Sequence, residues 1–112
     1  MAAITLYGLK NCDRSRAVRK ALQEAGHEVV LVDIASGCDP AFIDRLLARF
    51  GDTVLNRRST TWRQLSAAER ARPAAALLAA HPKLMRRPVL ALADGRLVAG
   101  WDREALAPLL RG

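Results

Sequence analysis

Histidine, cysteine and aromatic side chains are scarce in this 112-residue chain, and each shortage removes a class of function. Two cysteines, Cys12 and Cys38, cannot build the disulfide framework of a small secreted protein or a cysteine-rich zinc site. The two histidines, His27 and His81, lack metal-ligand spacing, so no metal is expected. Five aromatics leave little for base stacking, and no nucleic-acid motif accompanies them. No run approaches the roughly 20 apolar residues of a membrane helix, and Met1-Ala2-Ala3 leads straight into a strand pattern without a signal peptide's regions. The expectation is a cytoplasmic protein with reduced thiols and no membrane partner.

What the chain does have is apolar content and positive charge. At 51% hydrophobic residues it can fill one core, so a single domain spanning residues 1–112 is expected. The net charge of +7 rests on fifteen arginines against three lysines, a balance that favours anionic partners. The arginines are scattered, which disfavours nucleic acid and leaves acidic proteins and small anions.

The most informative stretch runs from Ile4 to Ala25. A short apolar run, Ile4-Thr5-Leu6-Tyr7, reads as a strand, Gly8-Leu9-Lys10-Asn11 as a loop, and Cys12 as the start of a helix. Ala17, Val18, Ala21, Leu22 and Ala25 then recur at helical spacing, and Gly26 supplies the exit. The unpaired N–H groups and peptide dipoles of a helix start stabilise an anion, and a thiolate is one. Lys10, Arg14 and Arg16 push the same way, so Cys12 reads as a readily ionised nucleophile. Arg16 also opposes the helix dipole, which suggests that an anion belongs there. Against this stands the reading of Cys12 as a small buried residue and Arg16 as a solvated charge.

Val29 to Val32 form an unbroken apolar run, read as a strand covered on both faces. Strand, helix and strand make a right-handed βαβ unit, with both strands ending at the edge that carries Cys12. Cys38 leaves the second strand at that same edge, so it is either an incidental loop residue or a resolving thiol. Asp39-Pro40 opens a helix with Ile43, Leu46, Leu47 and Phe50 as its apolar stripe, stopped by Gly51. Residues 52–62 read as a polar loop entering a short helix. Ser66 to Glu69 match a capping box, Pro73 interrupts, and Ala74 to Ala80 restart a helix ending at His81-Pro82. His81 is expected as a helix-end residue, His27 as exposed, and Trp62 and Trp101 as packing residues. Pro88 to Leu92 and Leu97 to Ala99 flank Asp94-Gly95 as a hairpin. Asp102 caps a last helix that turns Ala105, Leu106, Leu109 and Leu110 inward, with Pro108 expected to kink or fray it.

This order of elements, with Ile4-Thr5-Leu6-Tyr7-Gly8, Lys10-Asn11-Cys12-Asp13, Asn56 to Arg63, His81-Pro82, Arg86-Arg87-Pro88-Val89 and Gly95-Arg96-Leu97, resembles the thioredoxin-fold proteins of the ArsC, Spx and YffB group. Thr60-Thr61-Trp62 is most similar to the YffB-like branch. The resemblance implies an α/β thioredoxin-like fold: βαβ plus ββα, a mixed four-stranded sheet, and a helical insertion at about 39–82 between the second and third strands. It also implies a nucleophilic Cys12, a cis proline at Pro88, and an anionic pocket lined by Arg58 and Arg87, with Asn11 and Arg16 beside the thiol.

Departures from the family pattern shape the expected activity. Arsenate reductases carry a histidine where this chain has Gly8 and a further arginine where it has Ala99. Spx-like regulators commonly carry a second cysteine where Ser15 stands. A lone cysteine looks like monothiol chemistry, a glutathione-dependent thiol-disulfide reductase acting on glutathione or a glutathionylated substrate, with glutaredoxin as a further partner. No tightly bound cofactor is expected; glutathione is a co-substrate. The alternatives are a Spx-like module docking on a transcription complex, in which case RNA polymerase is the partner, and an arsenate reductase.

Overall fold

A computed structural model describes residues 3–111. In chain order the elements are β1 (Ala3–Gly8), α1 (Asp13–Glu24), β2 (Glu28–Asp33), α2 (Pro40–Phe50), α3 (Thr60–Arg63), α4 (Ala67–Arg70), α5 (Ala74–Ala80), β3 (Val89–Ala91), β4 (Leu97–Ala99) and α6 (Arg103–Leu110). They form two compact units, one from the chain up to Asp33 and from Arg87 onward, the other Ile34–Arg86. The helical insertion expected at about 39–82 lies within the second.

The first unit holds all four strands, in the order β2-β1-β3-β4. β1 pairs parallel with β2 and antiparallel with β3, and β3 pairs antiparallel with β4, which is the mixed sheet that βαβ followed by ββα produces. Period-two alternation turns Ile4 and Leu6 of β1 into a core with Leu22, Val29, Leu90 and Leu106. Each such side chain contributes about 1.5–3 kcal/mol on burial.

The structure overturns the expectation that β2 is covered on both faces. β2 is an edge strand: Val29 is buried, but Val30 and Val32 are 50% and 38% exposed. An apolar run cannot reveal sheet order, which decides how many faces are covered. Charged Glu28 and Asp33 bracket these valines, a common way of blunting an edge.

α6 also departs from expectation. It runs on through Pro108 to Leu110 rather than fraying early. Asp102 accepts from the Glu104 and Ala105 N–H groups at its start, and near its end His27 Nε2 donates to the Leu109 carbonyl at 2.7 Å. His27 is therefore half-buried rather than exposed, supplying a donor to a helix-end carbonyl that lacks one within the helix. Leu106 and Leu109 form the inward stripe, and Leu110 lies at its margin, 41% exposed.

In the second unit Asp39 caps α2 by accepting from the Ala41 N–H at 2.9 Å, with Pro40 in the first turn. The buried stripe is Phe42, Ile43 and Leu46; Leu47 and Phe50 are only half-buried. Within the stretch expected as a polar loop, Val54 and Leu55 are buried and Leu55 bridges to Met85. The Arg86 N–H donates to the Val54 carbonyl and the Asn56 N–H to the Leu84 carbonyl, each at 2.7 Å. Ser66 caps α4 through the Glu69 N–H at 3.1 Å, but the Glu69 carboxylate turns away to His81 and Arg72. The His81 hydrogen bond and then Arg72 hold that carboxyl below its usual range. His81 is thus a helix-end residue with a structural partner. Trp62 is half-buried, with the Arg57 and Arg70 guanidiniums each 5.6 Å from its ring centroid.

Candidate active site around Cys12

β1 ends at Gly8, and the chain turns through Leu9 to Asn11 so that the Cys12 N–H donates to the Leu9 carbonyl at 3.2 Å. Cys12 is the N-cap of α1: its backbone is extended, and its carbonyl accepts the first helical hydrogen bond from the Arg16 N–H at 3.0 Å. The thiol is half-buried at this helix start.

Beneath the thiol lies Ser15, 1% exposed in the first turn of α1. Its hydroxyl accepts from the Leu9 N–H at 3.4 Å, which ties the loop to the helix and orients the hydroxyl proton. Burial raises the Cys12 pKa, but this is outweighed by the Ser15 hydroxyl, the Ser15 N–H, and the hydrogen bond and charge of Arg87. The net result is a thiol held below its ordinary value. The Ser15 N–H, unpaired within the helix, faces the sulfur and favours its charged form.

Gly8 is what makes room for Ser15. A Cβ at position 8 would land on the Ser15 hydroxyl oxygen and lie 3.0 Å from the Ser15 Cβ. Any side chain at position 8 would require Ser15 to shift.

Arg87 arrives from the other side of the sheet connection. β1 and β3 pair Tyr7 with Val89, and one step further along that register brings Pro88 beside Gly8. The Arg87–Pro88 peptide bond is cis, as the resemblance implies, and Pro88 is fully buried. The Gly100 N–H donates to the Pro88 carbonyl at 2.8 Å, with Gly100 packed against the proline ring.

The remaining expected site residues are distributed as follows. Asn11 is exposed in the loop, and Arg16 is exposed on the outer face of α1. The hydrogen bond and charge of Arg87 favour the Cys12 thiolate. Arg58 and Cys38 belong to the second unit. The Arg58 N–H donates to Asn56 Oδ1 at 3.1 Å, and its carbonyl accepts from Arg63. Cys38 is half-buried, and burial pushes its thiol up. Ser15, Gly8 and Gly100 were not singled out as site residues by the sequence. Ser15 carried a usable signal, since three residues after an N-cap is where a first-turn group faces back toward it. Among the described residues no cluster of His, Cys, Asp or Glu is placed to hold a metal, and no helix is long and apolar enough to cross a membrane.

Ser15→Ala removes the buried hydroxyl and should raise the pH at which Cys12 becomes reactive. The sign follows from the cause: the hydroxyl favours the thiolate, so its loss returns the thiol toward its ordinary value. Iodoacetamide alkylation at neutral pH is expected to slow about tenfold, the size of one lost hydrogen bond to a charged group. An unshifted pH profile would remove Ser15 from the site.

A sequence profile of the ArsC family matches residues 7–108, nearly the whole chain. The chain belongs to the ArsC family. A solved structure described as YffB (PA3664) protein is 36% identical, covers 96% of this chain and 99% of its own, and superposes with a TM-score of 0.84. The solution structure of an arsenate reductase (ArsC) related protein from Brucella melitensis is 33% identical over 95% of this chain and 92% of its own, with a TM-score of 0.71. An uncharacterised protein of Haemophilus influenzae is 36% identical over 107 residues, 90% of this chain and 93% of that protein. The fold of this ArsC-family chain is thioredoxin-like, and the chain is related to arsenate reductases.

Proposed function

We propose that this ArsC-family protein is a glutathione-dependent thiol-disulfide reductase that works through the single nucleophile Cys12. The Cys12 thiolate attacks the glutathione sulfur of a mixed disulfide. A new S–S bond forms to Cys12, the old one breaks, and the substrate sulfur leaves with the electron pair and takes a proton from water. A glutathione thiolate then attacks the glutathione sulfur of the adduct, releasing glutathione disulfide and restoring the Cys12 thiolate. The net exchange consumes one free glutathione: the substrate sulfur leaves as a thiol, and the glutathione taken from it leaves as the other half of glutathione disulfide.

The observation that carries this reading is the pairing of Cys12 with a buried Ser15 hydroxyl and Arg87, where a dithiol motif would place its second sulfur. Serine in that place stabilises a thiolate but cannot close a disulfide, so release falls to an external thiol. Arg87 is suited to hold a glutathione carboxylate through paired hydrogen bonds. Arg58 enters this reading through the family resemblance. Arsenate reduction is the weaker reading: where the resemblance gives arsenate reductases a histidine and an arginine, this chain has Gly8, packed against Ser15, and Ala99, only 7% exposed and paired with Val89.

Intact-mass titration of the reduced protein with oxidised glutathione across pH tests the proposal. A single adduct at Cys12, forming at a pH below that of an ordinary thiol, is the expected result. Reaction no faster than that of free cysteine would turn attention to the Spx-like docking reading instead.

A further inference from the structure

The outer face of α1 carries an arrangement that the reductase chemistry leaves unused. Arg16, Ala17, Arg19, Lys20 and Gln23 line an open depression of about 420 Å³. Arg19 is half-buried, and its Nε is buried with no hydrogen-bond partner among the described residues. Among the described residues no carboxylate is paired with Arg16 or Arg19, and Lys20 reaches only Glu24, at 4.0 Å with both side chains largely exposed. Arg16, Arg19 and Gln23 follow Cys12 at helical spacing, so the cations continue one face of the helix downward from the thiol.

We propose that this face of α1 is a track for an acidic polypeptide segment flanking the disulfide that Cys12 attacks. The helix rises about 1.5 Å per residue, so Gln23 lies about 16 Å below Cys12. Glutathione, a tripeptide, extends at most about 11 Å and cannot span that distance. An extended segment of about five residues does. Carboxylates suit the cationic side chains that line the depression. α1 carries no aromatic side chain on which a base would stack, and a partner that also engages the sulfur must itself carry sulfur. Both points favour a polypeptide over nucleic acid. The disulfide-bearing partner rests on the reductase reading; the acidic recognition rests on α1 itself.

The test uses two S-glutathionylated peptides alike except for an Asp/Glu-rich or a Gln-rich flank, bound to Cys12→Ser protein and followed by fluorescence anisotropy. The acidic peptide should bind at least about tenfold more tightly at low salt, and the preference should collapse near about 0.5 M salt. Arg19→Gln with Lys20→Gln should erase the preference. Lys20→Glu, at a side chain 79% exposed, gives the same direction without touching any packing role of Arg19. Equal binding of the two peptides, or a preference that survives these variants, overturns the track. An oligonucleotide of matched charge that outcompetes the acidic peptide overturns the assignment to a polypeptide. Glutathione uptake by the wild-type protein is measured in parallel. Uptake without acidic preference removes the track and leaves the reductase; preference without uptake removes the reductase and supports the track as a docking face.

Discussion

Replacing Cys12 with serine is expected to abolish glutathione uptake and turnover, by roughly a thousandfold or more, while leaving the protein folded. Serine keeps the shape but not the ionisation, so Ser15 and Arg87 have no anion to stabilise and the first displacement has no nucleophile. The backbone groups of residue 12 are unaffected: the N–H still donates to the Leu9 carbonyl, and the carbonyl still accepts from the Arg16 N–H. Serine is moreover a preferred N-cap, able to accept from the Ser15 N–H, so Tm should hold or rise slightly. Cys38→Ser serves as the paired variant. Burial pushes the Cys38 thiol up, so it is a poor nucleophile at neutral pH, and its loss should leave adduct formation intact. Turnover that survives Cys12→Ser would end the reductase reading outright.

The features legible in the sequence are those written over a few neighbouring residues. Asp39 before Pro40, Ser66 before a short helix, Asp102 before the last one, and Asp94-Gly95 between two apolar runs each act within four residues or so, and each appears where expected. The placement of Cys12 at a helix start belongs to the same class. What was not legible depends on pairing across the chain. Val30 and Val32 look like core in the sequence, and only the strand order makes them an exposed edge. Val54 and Leu55 carry no periodicity, because what buries them is a bridge to a residue thirty positions away, Met85. Local reasoning finds the cations Lys10, Arg14 and Arg16 near the thiol because it sees only the loop and the helix. The antiparallel pairing of β1 with β3 brings Arg87 to the thiol from across the sheet. The family resemblance supplied Arg87 and the cis Pro88 where residue chemistry alone did not.

The same long-range pairing makes Gly100→Ala the substitution with the largest expected structural effect near the site. A Cβ at position 100 would lie 2.5 Å from both the carbonyl oxygen and the Cγ of Pro88, and 2.9 Å from its Cδ. The opposing atoms are backbone and a closed ring, neither of which can rotate aside, so the β3–β4 register must open at the point that holds Pro88. Overpacking of this kind costs roughly 1–3 kcal/mol. A domain of this size should then lose on the order of ten degrees in Tm. Gly26→Ala separates this from the ordinary penalty of replacing glycine. Gly26 has φ +98 with nothing within 4 Å of a new Cβ, so its cost is conformational alone, about 1 kcal/mol. Gly100 has no left-handed φ, so its cost is steric alone. The two variants should also differ in function. Moving Pro88 moves Arg87, the cation that favours the Cys12 thiolate, so Gly100→Ala should slow alkylation of Cys12 while Gly26→Ala leaves it unchanged. A Gly100→Ala protein with wild-type Tm and thiol reactivity would show that the loop carrying Arg87 yields freely, and that the thiolate does not depend on its position.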